Sequence, residues 1–343
     1  MMKPVVLKNE TNRTFDFGGE TIDGEHSATP FVMEGCKHVK VAGLRLMNSS
    51  GNVASIVNCT DCDIEDVIAV NAEASANFHV FSIHECKGMR FSFCAGAGTG
   101  RKIWQVHKST NTLIADSIGV WMGSTAPGNK MAFANYLSTD TTYLNCLALW
   151  DGILLPQGAA EINQPVGLFG CDGMSGVVSH LRIIGCLAYG GPWDRWMYVK
   201  PSDADACWEP PPWLLHVNAH AGVEVAGFTG VSWQTEQRVA YLGLDAANPA
   251  VKSSIRDSTF IGEGAFKVKE HAWDQQSVQR LAPDDTTAAR IRGLTRWTEK
   301  GKDTGKAFWT AARRRLCRDL DDVMCAAGIP PVYAAEKVLE TSL

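Results

Sequence analysis

The chain has no excess of positive charge: 32 Lys and Arg stand against 37 Asp and Glu, a net charge of −5. That excludes a protein held to nucleic acid chiefly through phosphate contacts. No apolar run approaches the roughly 18 residues of a membrane-spanning helix. The opening residues, MMKPVVLKNETNRTFDF, lack the apolar centre of a secretory signal. A soluble protein is therefore expected, working inside a cell, leaving by another route, or deprived of a leader. Cys is frequent, at 11, but the number is odd and no signal precedes it, so free thiols are expected rather than a disulfide framework. No second Cys-x-x-Cys and no His-x-x-x-His accompany Cys59 and Cys62, so the four converging ligands of a zinc site are missing. No metal or cofactor is expected.

What the chain does have is a repeat. Ser109–Trp121, STNTLIADSIGVW, matches Ser138–Trp150, STDTTYLNCLALW, column by column at a distance of 29 residues. With the turn residue Asp116 as origin, equivalent positions fall at Gly43, Asp66, Phe93, Asn145, Gly185, Gly227 and Asp257. Two residues before each origin stand Val41, Ile64, Phe91, Ile114, Tyr143, Ile183, Val225 and Ile255, all of them β-branched or aromatic. Four before stand apolar or small residues, and the column between is mostly polar (Lys40, Asp63, Arg90, Arg182, Glu224). Alternation with period two means strands with one buried face. A strand set that recurs about every 23 residues is a solenoid whose coils bury their inner faces only by stacking.

The cysteines follow the same columns. Cys36, Cys59 and Cys86 share one position with Ser109 and Ser138, and Cys94, Cys146 and Cys186 share another with Leu44, Val67 and Ser117. These read as stacked small side chains. Cys171, Cys207, Cys317 and Cys325 fall outside these columns. The acidic run Asp61, Asp63, Glu65 and Asp66 reads as solvated charge rather than a Ca²⁺ site.

Beginning near Asn12–Gly24, and most plainly in Phe31–Leu46 (F-x-x-x-x-C-K-x-V-x-V-x-G-L-R-L), the chain resembles right-handed parallel β-helix proteins of the pectate-lyase-like superfamily over about residues 12–270. The resemblance implies an all-β solenoid: a single-stranded right-handed parallel β-helix of about nine coils, occupying residues 1–273. It does not bring a catalytic set. The Asn-Thr-Asp, Asp-Asp, Gly-His-Gly and Arg-x-Lys elements of polygalacturonases are missing, as are the Trp-x-Asp-His and Arg-x-Pro-x-x-Arg of pectate lyases.

Residues 274–343 form a mainly helical tail. Lys306–Ala327 places Phe308, Ala312, Leu316, Leu320 and Met324 at four-residue steps, the pattern of an amphipathic helix, and Gly328-Ile329-Pro330-Pro331 ends it. Ala334–Leu339 reads as a last short helix. The tail is expected to cap the open end of the solenoid; docking on a partner through Arg313, Arg314, Arg315 and Arg318 is the alternative.

Extra residues in a solenoid leave as loops from one flank, often the binding face. Here they fall at residues 151–165 and 189–213. The second insertion holds Trp193, Trp196, Tyr198, Trp208 and Trp213 with Asp194 and Arg195, the mixture of rings and charges that a sugar-binding groove uses. The alternative is a long loop folded on the flank with its Trp residues buried. Arg101 and Lys102, near His107 and Lys108, have the chemistry to stabilise the enolate of a uronate, although charges at a coil corner read first as solvent-facing. For a glycosidase, Asp151, Glu161, Asp172 and Asp194 sit on neighbouring coils, where two carboxylates would have to stand about 5–5.5 Å or 6.5–9.5 Å apart. The catalytic candidates are therefore Asp194, Lys102, Arg101 and Asp151.

Three functions remain open, in this order. The first is a virion-associated β-helix of the tailspike, fibre or appendage kind, which binds a surface glycan or neighbouring virion subunits and forms a homo-oligomer, with a trimer as one option. The second is a polysaccharide lyase or glycoside hydrolase with an atypical site in the Trp-rich groove. The third is a non-catalytic carbohydrate-binding solenoid. The location is the virion if the chain is viral, and extracellular or cytoplasmic otherwise.

Overall fold

The computed structural model describes residues 2–71, 78–122, 130–150, 166–171, 177–190, 213–218, 220–232, 238–243, 251–282, 296–299, 302–307 and 310–329. The chain is a parallel β-solenoid. Its first wall is a sheet of ten parallel strands: Val5–Lys8, Phe31–Glu34, Ala54–Val57, His79–His84, Lys102–His107, Lys130–Tyr136, Val166–Cys171, Trp213–Val217, Arg238–Leu242 and Ala265–Val268. A second sheet of 15 strands bends into two more walls. Asp63–Asn71 runs through both of them, pairing with Arg90–Ser92 in the second wall and Ala95–Gly98 in the third. Ser253–Ile261 joins the two walls again at the other end. With one first-wall strand per coil, the described strands make about ten coils, slightly different from the nine expected. The two copies of the repeat lie side by side in register, Ile114 on Tyr143, Ile118 on Leu147 and Trp121 on Trp150.

The origin residues are the corners between the second and third walls. All eight, from Gly43 to Asp257, have φ between 50° and 71°. A left-handed backbone is open to Gly and tolerated by Asn and Asp, which explains the composition of that column. Phe93, at φ 51°, is the exception. At Gly43 a side chain is also barred by space, since a Cβ there would lie 2.9 Å from the Gly18 nitrogen.

The column two before each corner points inward and is buried throughout. From the first wall, Phe81, Trp104, Phe133 and Phe169 stack as a ladder with centroid spacings of 3.9, 5.9 and 4.7 Å. The Cys and Ser columns form ladders of a second kind. The Cys59 N–H donates to the Cys86 sulfur (3.4 Å), the Cys86 N–H to Ser109 Oγ (3.0 Å) and the Ser109 N–H to Ser138 Oγ (3.0 Å). Each side chain accepts from the coil before it, so Cys and Ser are interchangeable there. In the acidic run, Glu65 pairs with Lys40 at 2.9 Å and Asp66 with Arg45 at 3.0 Å.

The third wall is apolar on its outer face as well. Ile68, Val70, Ala95, Ala97, Ile118, Val120, Leu147 and Leu149 are buried there, as expected for strands covered on both sides. Part of the cover is the helix Ala311–Ala326, which lays Leu316, Cys317, Leu320, Val323 and Met324 on this face. The helix thus lies along the flank of the early coils, against Asp63–Asn71 and Ala95–Gly98, not across the open end. Arg313 does not face outward either: it is 1% exposed and bonded to Asp116. The final strand, Trp273–Leu281, supplies its own finish, placing Gln275 beneath Ile255 and Arg280 beneath Phe260, so polar residues close two inward columns. The helix also starts later than its periodicity predicts. Lys302–Ala307 forms an antiparallel hairpin with Arg296–Glu299, where a loop around Gly301–Gly305 was expected. The Thr310 hydroxyl, accepting from the Arg313 N–H at 3.1 Å, then caps the helix. Ala334–Leu339 lies outside the described residues.

Candidate functional site

Charge is unevenly distributed over the solenoid. The strands of the first wall contain one carboxylate, Glu34, and it is paired with Lys8 at 2.9 Å. Against it the same strands carry Lys102, Lys130 and Lys267, and all of His79, His84, His107 and His216. A chain of net negative charge has thus gathered cations and imidazoles on one wall.

On the outer face of that wall three rings stand in one column. His84, His107 and Tyr136 are in register on consecutive coils, because each follows an inward residue (Ile83, Val106, Asn135) in a strand that alternates. The His84 and His107 rings lie 4.7 Å apart, and those of His107 and Tyr136 5.0 Å. The Lys102 ammonium sits 4.9 Å from the centre of the Tyr136 ring, a cation–π contact. At the corner beside the column, Glu85 lies 3.7 Å from His84 Nε2 and 3.8 Å from Lys108 Nζ.

These surroundings hold His107 and His79 neutral. Burial, then His84, Lys108 and Lys102, push His107 down to about 4, against a smaller opposing effect of Glu85. Burial, then Lys102, Arg101 and His107, push His79 down to about 3. At neutral pH each offers one N–H donor and one lone pair beside fixed positive charge.

Further along the wall lies a second aromatic group. Trp213 and Tyr241 are 5.6 Å apart, and His216 stacks on Tyr241 at 5.2 Å and 19°. Gly170 lets this strand approach, since a Cβ there would meet the His216 carbonyl oxygen at 1.9 Å.

Of the residues singled out from the sequence, Arg101, Lys102 and Trp213 are described. Lys102 is not solvent-facing: it opens the strand Lys102–His107 and is 4% exposed, because its stem is covered and its ammonium turned toward Tyr136. Arg101 is half-buried just before it, its N–H donating to the Phe78 carbonyl at 2.9 Å. Trp213 is 5% exposed and begins a first-wall strand instead of ending a loop. Asp151, Glu161, Asp172, Trp193, Asp194, Arg195, Trp196, Tyr198 and Trp208 lie outside the described residues. Sequence reasoning passed over His84, Tyr136, His216 and Tyr241. The first two could have been found: they stand nine residues before the corners Phe93 and Asn145, as His107 stands before Asp116. Among the described residues no three His, Cys, Asp or Glu side chains converge as metal ligands.

No family model matches the chain, and no curated protein matches it. Solved structures similar to it include a tailspike protein mutant of E. coli bacteriophage HK620 in complex with a pentasaccharide, at 14% identity over 82% of this chain and 48% of that one, TM-score 0.44. The catalytic domain of a GH87 alpha-1,3-glucanase in complex with tetrasaccharides is 7% identical over 83% of this chain and 61% of that one, TM-score 0.46. An endo-xylogalacturonan hydrolase from Aspergillus tubingensis is 11% identical over 82% of this chain and 74% of that one, TM-score 0.24. The chain spans about half the length of the tailspike chain. None of these likenesses carries a site residue across.

Proposed function

We propose that this chain is a carbohydrate-binding β-helix that takes a glycan on the outer face of its first wall. The observation that supports this is the column His84, His107 and Tyr136, with its ring spacings of 4.7 and 5.0 Å and a cation set against its last ring. Amphipathic rings present apolar faces to a sugar and polar edges to its hydroxyls. Within this reading the setting is a virion appendage that holds a surface glycan without cleaving it. In its favour, the described strands of this face carry no pair of carboxylates to flank a glycosidic bond.

A second reading, a polysaccharide lyase, is favoured by a different observation. His107 is a neutral imidazole with Lys102 and Lys108 close by, the pairing of base and cation that proton abstraction beside a carboxylate requires.

Calorimetric titration with a panel of oligosaccharides tests the first reading, and His107→Ala is expected to weaken the binding found. No binding across acidic and neutral glycans would end the proposal. Absorbance from an unsaturated product would move the protein to the second reading, and new reducing ends without it to a hydrolase. Light scattering tests the setting: a trimer supports the virion appendage, and a clean monomer counts against it.

A further inference from the structure

We infer that His84, His107 and Lys108 form a subsite for the anionic group of an acidic sugar, and that Glu85 occupies it in the free protein as an internal stand-in for that group. The inference rests on the glycan reading above and deepens it by naming the ligand's charge as the selected property.

Three observations carry it. First, the wall is built for an anion, since its one strand carboxylate, Glu34, is already neutralised by Lys8. Second, the cations at the far end of the strands that carry this column are committed elsewhere. Arg101, Lys102 and Lys130 are engaged within the chain, whereas Lys108 projects from the corner with a side chain 52% exposed. Selection therefore falls to Lys108 and the imidazoles beside it. Third, the Glu85 carboxylate lies between His84 Nε2 and Lys108 Nζ, at 3.7 and 3.8 Å. Both distances exceed those of a charge-assisted hydrogen bond, about 2.7–2.9 Å. Glu85 also sits on a left-handed corner, at φ 54°, and its side chain is 46% exposed. A carboxylate held this loosely, in solvent, is displaceable at little cost. An incoming carboxylate or sulfate would take its place against Lys108 and His84, and its sugar ring would lie over His107 and Tyr136.

Displacement predicts that the site's own carboxylate is an inhibitor of anion binding. Three probes of equal length, hexagalacturonate, a sulfated glucan hexamer and maltohexaose, would be titrated into the full chain at two salt concentrations. The wild type is expected to bind at least one acidic probe about tenfold more tightly than maltohexaose, with the preference shrinking as salt rises. The carboxylated and sulfated arms identify which anion is used. Glu85→Gln is expected to tighten the acidic probe about two- to fivefold and Lys108→Ala to weaken it by a similar factor, with maltohexaose unmoved by either. Far-UV circular dichroism of both variants checks that the coil at this corner survives. Equal binding of acidic and neutral probes overturns the inference while leaving glycan binding intact. Weaker acidic binding in Glu85→Gln overturns the stand-in role, and no binding of any probe overturns the glycan reading itself.

Discussion

Arg313 and Asp116, 197 residues apart in the chain, meet at 3.1 Å. The same guanidinium donates to the carbonyl of Asn145, the corner residue of the next coil. The helix is therefore pinned to the corner column of the repeat, and Asp319, on its outer part, reaches Arg45 at 3.6 Å. Burial lowers the proton affinity of Arg313, and Asp116 opposes that shift. Arg313→Ala should cost about 3–5 kcal/mol, since it strands partners arranged around a buried cation. Urea unfolding measures the loss. A double-mutant cycle with Asp116→Ala should show coupling of about 1–3 kcal/mol; additive losses would mean that packing, not the ion pair, holds the helix.

Phe93 is the one corner residue of its column that is neither Gly, Asn nor Asp, yet it adopts φ 51°. A left-handed backbone costs such a residue roughly 1–2 kcal/mol. Phe93→Asn should therefore raise the midpoint of thermal unfolding, by about 1 kcal/mol in stability. A drop would show that contacts of the half-buried ring outweigh the backbone cost.

The ladders predict which substitutions the coils tolerate. Ser109→Ala removes the acceptor of the Cys86 N–H and should cost about 1 kcal/mol. Cys59→Ser and Cys86→Ser should stay within about 1 kcal/mol of the wild type, because Ser already fills their column. Thermal melts of the three variants, with and without a chelator, would expose a hidden metal role as a large loss in the Cys variants.

Trp104 lies between Phe81 and Phe133, with its indole N–H donating to the Ile118 carbonyl at 2.9 Å. Trp104→Ala opens a cavity in the centre of the coil and should cost about 3–5 kcal/mol in chemical denaturation. Trp104→Phe keeps the stack and should cost markedly less.

Two first-wall imidazoles make stability depend on pH. His79 and His107 titrate near 3 and 4 in the folded chain, against about 6.5 when unfolded. Below pH 6.5 the unfolded chain binds more protons, so folding weakens as pH falls from about 6.5 toward 4, and more slowly below that. His79→Gln and His107→Gln should each flatten the curve of melting temperature against pH between 4 and 6.5. An unchanged curve would place the acid sensitivity elsewhere.

The sequence by itself determined the solenoid. Its columns are local facts, because inward alternation and left-handed corners constrain residue type at every coil; hence the columns Val41 to Ile255 and Gly43 to Asp257 are legible without any contact. It also determined that the Cys columns are structural, since Ser replaces Cys within them. It indicated a helix over Lys306–Ala327, of which Ala311–Ala326 is helical. Only the tertiary structure decided where that helix lies, because an amphipathic face specifies burial but not which apolar wall supplies it. By sequence Arg313 is one of four arginines able to face a partner; only the fold sets Asp116 and Asn145, remote in sequence, against it. The first wall's outer face was equally hidden. His84, His107 and Tyr136 are separated by 23 and 29 residues, and stacking alone brings consecutive rings to 4.7 and 5.0 Å. A site made of one residue per coil has no sequence motif, because its spacing is set by the length of the loops between coils.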